Sequence, residues 1–118
     1  MQRVEGPTEA NHVQNELKTI LDNTPFLLSR CSSDLRYLYV SKACANLLHR
    51  ASEDVCGKLI ADVIGPKAFE TIRPHIETVL RGQRVEYEAE VHYANVGPRQ
   101  VHVIYVPERD EQNQVSGW

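Results

Sequence analysis

The hydrophobic rhythm of the chain changes twice, and each change marks a different kind of element. Val13, Leu17, Ile20 and Leu21 recur at helical spacing and form one apolar stripe. Thr8 stands ahead of this run as a cap, and Glu9 suits the positive end of a helix. Pro25 forbids continuation past Asn23-Thr24. The pattern predicts a disordered leader over 1–8 and an amphipathic helix over 9–22. Such a helix must bury its stripe against the rest of the domain or against a second copy of itself.

Two short apolar runs follow, Phe26 to Cys31 and Tyr37 to Val40, separated by Ser32-Ser33-Asp34. Short polar side chains bond back to the local backbone, so this reads as a hairpin. Ser41 is placed to cap a short helix from Lys42 to His49. Ser52 to Gly57 reads as one helical turn closed by glycine. Leu59, Ile60, Val63 and Ile64 give another short turn ended by Gly65-Pro66. Phe69, Ile72, Ile76, Val79 and Leu80 then keep a helical period up to Arg81-Gly82, with Pro74 predicted to kink that helix or restart it.

The second change is to period two. Val85, Tyr87, Ala89, Val91 and Tyr93 alternate with Glu86, Glu88, Glu90 and His92, which predicts a half-buried strand. Asn95-Val96-Gly97-Pro98 turns the chain into a second strand over 99–107. The expected register sets Tyr87 opposite Tyr105, Val91 opposite Val101 and Glu90 opposite His102. Asp110 to Gln114 is a polar turn, and Val115 to Trp118 begins another strand. Strands at both ends with short helices between them predict an α+β architecture, an antiparallel sheet with helices on one face.

Composition narrows the function classes. A chain of 118 residues with 42% hydrophobic and 25% charged residues is the size and balance of one globular domain. The net charge of −3, with both signs interspersed, offers no basic stripe to a nucleic acid. No apolar run reaches the roughly 20 residues a membrane crossing needs, and the N-terminus lacks a secretory signal's apolar core. Three cysteines, Cys31, Cys44 and Cys56, fit reduced thiols better than a disulfide framework. These features predict a cytoplasmic domain without nucleic-acid or membrane contact.

From about Leu21 to its end the sequence resembles a PAS domain. The resemblance rests on Asp34 to Ala43, on Gly57-Lys58 with Asp62-Val63-Ile64-Gly65, on Val79 to Gln83, on Val85 to Glu88, and on Tyr105-Val106-Pro107 ahead of Val115 to Trp118. No one segment is specific; their order and spacing are. The resemblance implies a five-stranded antiparallel sheet cupping short helices around a small apolar cavity, with residues 23–118 as the PAS domain and the N-terminal helix as its flanking helix. It implies a sensory or dimerisation module of a larger signalling protein, such as a sensor histidine kinase of a two-component system, a diguanylate cyclase or a transcription regulator, with an effector domain in the same polypeptide. Two features depart from the family pattern. Ser41 stands where asparagine is common, which keeps the capping chemistry. The final strand of the family fold is central, and here it is truncated as it begins. The gap is expected to be filled by the N-terminal segment, by a partner chain or by local disorder.

Each side chain able to carry chemistry also has a plain packing or surface role. Some haem-binding relatives use a histidine on the helix corresponding to 66–81, which makes His75 the haem-ligand candidate, although it flanks the apolar stripe. The Asn-Cys-Arg-Phe-Leu-Gln run of flavin-binding relatives does not occur, and Cys56 with His49 lacks metal-chelating spacing. Ser29, Ser41 and Ser52 have turn or capping roles, and the strand glutamates form a solvated face, so nothing here points to an enzyme beyond a small α+β isomerase working from a cavity. The expected pocket lining is Leu28, Tyr39, Cys44, Leu47, Leu48, Ile60, Ile64, Phe69, Ile72, Ile76, Val91 and Tyr93, suited to a small apolar or aromatic ligand. The expected homodimer contact is the stripe Val13, Leu17, Ile20 and Leu21. No cofactor is expected.

Overall fold

The computed structural model of the chain describes residues 19–20 and 26–118. The expected leader and nearly all of the N-terminal helix, with Val13, Leu17 and Leu21, lie outside the described residues. Thr19 and Ile20 are helical, and Ile20 is exposed.

The first strands, β1 (Ser29–Cys31) and β2 (Tyr37–Val40), pair as an antiparallel hairpin. Their turn is closed by Leu35 in the left-handed region (φ 67°) and by a bond between the Ser32 and Asp34 side chains. The register shifts within the pair, because Arg30 faces Tyr39 while Cys31 faces Tyr37. Leu38 is therefore the extra residue of a bulge, and it resets the alternation of faces. Tyr37 and Val40 both become buried while Leu38 between them is exposed.

Ser41 ends β2 and caps α1 (Lys42–Leu47), its Oγ accepting from the Cys44 amide at 3.1 Å. Two short helices follow, α2 (Ser52–Val55) and α3 (Ile60–Ile64), and then the long α4 (Pro66–Leu80). Gly65 joins α3 to α4 at φ 92°, where a side chain would also meet the Ala94 Cβ. Pro66 sits in the first turn of α4, where no amide donor is needed. Gly82, at φ 93°, follows the end of α4 as the period predicted. Pro74 does not restart the helix: α4 runs through it. Pro74 lies on the exposed side of α4.

The long strands β3 (Val85–Tyr93) and β4 (Gly97–Tyr105) form an antiparallel hairpin. Their register differs from the expected one by two residues: Tyr87 faces Val103, Val85 faces Tyr105, Ala89 faces Val101, Val91 faces Arg99, and Glu88 rather than Glu90 faces His102. The cause is the turn. Asn95 (φ 63°) and Gly97 (φ 96°) let the chain reverse within Ala94 to Val96, so β4 starts at Gly97 instead of Arg99. An even shift keeps every side chain on its face, and the alternating glutamates remain exposed as expected.

The last elements, β5 (Glu108–Arg109) and β6 (Val115–Gly117), pair with each other across the turn at Asp110 to Gln114. The Trp118 amide donates to the Cys31 carbonyl at 3.0 Å, and the Cys31 amide donates back at 2.8 Å. The end of the chain is thereby seated beside β1, with the Ser32–Gly117 bridge extending the contact. The expected five-stranded sheet is present as three two-stranded units among the described residues. Nothing described pairs with the β4 edge opposite β3. The core is built from Val40, Val55, Ile60, Ile64, Ile76, Val79 and Val91, all buried between the short helices and the inner sheet face.

Candidate functional site

A cavity of about 460 Å³ lies between the short helices and the inner face of β3 and β4. Its apolar wall is Cys44, Leu47 and Leu48 from α1 and its end, Ile64 from α3, Ile72 from α4, and Val91, Val101 and Val103 from the strands. Leu27, Leu28, Ile104 and Val106, all exposed, rim its mouth. Four phenols line it as well, Tyr37, Tyr87, Tyr93 and Tyr105, together with the Trp118 indole.

Eight of the lining residues expected from sequence are there: Leu28, Cys44, Leu47, Leu48, Ile64, Ile72, Val91 and Tyr93. Ile60 and Ile76 are instead fully packed in the core, and Phe69 packs against it from the side. Tyr39 is displaced by the bulge at Leu38, which puts it opposite exposed Arg30 and hands the inward position to Tyr37. Sequence reasoning named Tyr39 and not Tyr37, although plain alternation puts both on one face until the bulge separates them. It also missed Tyr87, Val101, Val103 and Tyr105, although their period-two alternation with the glutamates already put Tyr87 and Tyr93 on one face.

The aromatic groups form a chain of contacts, stacked between His75 and Tyr87, edge-on between Tyr87 and Tyr105 and tilted between Tyr105 and Trp118. His75 lies flat against Tyr87, with ring centroids 3.7 Å apart and planes 5° from parallel. The Tyr87 and Tyr105 hydroxyls are 2.8 Å apart, and Tyr105 is tilted against Trp118 at 5.9 Å. His75, the haem-ligand candidate, is thus committed to Tyr87 from the far side and is not among the cavity-lining residues. The histidine that does line the cavity, His102, is bonded to Glu86.

Apart from Glu108 and His102, the lining is built of uncharged side chains. Burial pushes the Cys44 thiol up to about 11 and the Cys31 thiol up to about 12. Burial likewise pushes the Tyr93 phenol up to about 12 and holds Tyr37 and Tyr105 well above the usual phenol range. The charged groups near the mouth have partners. Glu108 accepts from Arg30 Nε at 2.8 Å, and His102 Nε2 bonds Glu86 Oε2 at 2.7 Å. The His102 bond is the main cause of a Glu86 carboxyl held below its ordinary range. Ser29 lines the cavity, Ser41 is enclosed as a cap, and Ser52 opens α2. Among the described residues, no three histidine, cysteine, aspartate or glutamate side chains cluster to hold a metal ion. No described helix is long and apolar enough to cross a membrane. The arrangement is a mostly apolar cavity with phenol tips.

A family model described as the PAS fold matches residues 21–118. Among curated proteins, none matches the chain in sequence. Solved structures with the same fold include a PAS domain from Colwellia psychrerythraea, 14% identical with a TM-score of 0.73, covering 89% of this chain and 90% of that one. The VqmA protein of Vibrio cholerae, solved as a ligand–DNA complex, is 18% identical with a TM-score of 0.71; the match covers 91% of this chain but only 49% of VqmA. The PAS domain of BvgS from Bordetella pertussis is 20% identical with a TM-score of 0.65, covering 91% of this chain and 82% of that one.

Proposed function

The chain belongs to the PAS-fold family, and we propose that it is the sensory input module of a larger signalling protein of the sensor histidine kinase type, responding to a small molecule held in the cavity. The observation that carries this reading is the cavity itself, about 460 Å³ with an apolar wall and a few polar tips. That is the size and composition of sites that enclose small organic ligands. VqmA, which shares the fold, has also been solved bound to a ligand named DPO. The module performs no reaction of its own and works in the cytoplasm. It contacts neither nucleic acid nor membrane directly.

A ligand signals only by binding two arrangements of the domain differently. The parts placed to move are α3 and α4, which contribute Ile64 and Ile72 to the cavity, and the β6 end, where Trp118 touches both the cavity and β1. An effector attached beyond Trp118 would receive the change there. A homodimer through Val13, Leu17, Ile20 and Leu21 would transmit it between copies, and the exposure of Ile20 leaves that side chain free for such a contact.

Native mass spectrometry of the purified chain tests both parts. A dimer carrying a retained small molecule is the expected result. A bare dimer would replace the sensor by a ligand-free dimerisation module, as in a diguanylate cyclase or transcription regulator. Leu17→Asp should dissociate the dimer, and an unchanged sedimentation profile would refute the helix contact.

A further inference from the structure

The polar groups of the cavity have not all been spent on the protein. Tyr37 is 8% exposed and lines the cavity. Its backbone is fully engaged: the amide donates to the Lys58 carbonyl at 3.0 Å, and the carbonyl accepts from the Gly57 amide. Its hydroxyl has no hydrogen-bond partner among the described residues. Buried hydroxyls are nearly always paired, because an unpaired one forfeits its bond to water and receives nothing in return. The Tyr93 hydroxyl, also in the lining, has no partner among the described residues either. Tyr87 and Tyr105 share one bond between two hydroxyls, so whichever oxygen accepts still has its own proton to give.

Three phenolic protons therefore lack an acceptor among the described residues. They are grouped: a charge on Tyr37 would be felt at Tyr93, Tyr87 and Cys44. The remainder of the inner wall is apolar, with Leu47, Leu48, Ile64 and Val91. Glu108 and His102 in the lining are already bonded to Arg30 and Glu86, so the described residues offer no free group to offset the hydration an ionic ligand would lose.

Resting on the sensor reading above, we propose that the cavity selects a small neutral molecule with an apolar body and hydrogen-bond acceptor atoms along one edge, which the Tyr37 and Tyr93 hydroxyls recognise. Tyr37 is then a specificity residue whose cost to the empty domain is repaid only when the ligand is bound. This differs from the plain apolar ligand that the sequence pattern implied.

The test uses two probes of the same outline, quinoxaline, with two acceptor nitrogens, and naphthalene, with none. Their dissociation constants are measured by fluorescence or NMR titration on the native chain and on Tyr37→Phe. Tyr37→Phe should shift the quinoxaline-to-naphthalene preference about fivefold toward naphthalene, the worth of one neutral hydrogen bond. The unliganded Tyr37→Phe protein should melt at a higher temperature than the native chain, because the unpaired hydroxyl is gone. An unchanged preference, or a lower melting temperature, would overturn the proposal while leaving the sensor reading standing. Failure of quinoxaline at millimolar concentration and of naphthalene at aqueous saturation to bind the native chain would overturn the sensor reading along with it. Tyr93→Phe, at a half-buried position, repeats the preference measurement if Tyr37→Phe does not fold; no shift there also overturns the proposal.

Discussion

Ser41 holds one wall of the cavity to the helix layer, and its replacement by alanine should be costly. The residue is fully enclosed, and its Oγ makes three bonds. It accepts from the Cys44 amide at 3.1 Å as the cap of α1, accepts from the Leu28 amide at 3.1 Å, and donates to the Phe26 carbonyl at 3.0 Å. The Ser41 amide also donates to the Leu28 carbonyl at 2.8 Å, so the segment leading into β1 is tied down at one point. Loss of a helix cap costs about 1 kcal/mol. Orphaning the Leu28 amide and the Phe26 carbonyl adds about 1–2 kcal/mol together, near the low end for buried groups because both lie close to the surface. Ser41→Ala should therefore lose about 2–3 kcal/mol of a total that for such a domain is about 5–15 kcal/mol. The melting temperature should fall by about 10 °C. Urea unfolding followed by circular dichroism measures this, with an unchanged slope showing that the same surface is exposed. The exposed neighbour replacement Lys42→Ala should stay within about 0.5 kcal/mol of the native chain. A Ser41→Ala loss as small as that of Lys42→Ala would refute the three-bond account. Ligand affinity should drop in the same variant, since Leu28 lines the mouth of the cavity.

Three further outcomes are expected. Gly117→Ala would drive a Cβ into the Cys31 carbonyl oxygen, so β6 should lift from β1 at a cost of about 1–3 kcal/mol. Trp118, the only tryptophan and nearly buried, would report this as a red shift in emission, and an unshifted spectrum would contradict the packing. On the alkaline side, Tyr93 has a folded pKa of about 12 against an ordinary value of 10.0, so between those values the unfolded chain releases its proton first. Stability attached to that phenol is present below pH 10 and is lost as pH rises toward 12, at a limiting slope of about 1.4 kcal/mol per pH unit. Urea midpoints that stay flat across this window would disprove burial of the phenol. With its thiol pushed up to about 11, Cys44 should react with iodoacetamide at pH 8 far more slowly in the native chain than in urea, as read by mass spectrometry of its peptide. Equal rates would show that the α1 side of the cavity is open to solvent.

Much of the architecture was legible along the chain because it is written in local chemistry. Ser41 ahead of an apolar-spaced run, Pro66 after Gly65, and Gly82 after Arg81 are capping signals that act within a few residues. The alternation from Val85 to Tyr93 identified β3 and its solvated glutamate face for the same reason. Pro74 was misleading since its local effect depends on which side of α4 meets water. The strand register was off by two because the reversal depended on left-handed backbone at Asn95 and Gly97, which composition allows but does not place.

The cavity was half legible. Helix-borne residues such as Cys44, Leu47 and Leu48 follow from period and were placed in advance. Tyr37 could not be told from Tyr39, because alternation puts both on one face and only the bulge at Leu38, a property of two paired strands, turns Tyr39 away. The sequence by itself thus determined the order of elements, their caps and their apolar faces, since these depend on neighbours in the chain. Only the tertiary structure decided which phenols converge, which hydroxyls lack partners and where β6 meets β1. Those outcomes depend on contacts between residues far apart in sequence, whose geometry no local pattern encodes.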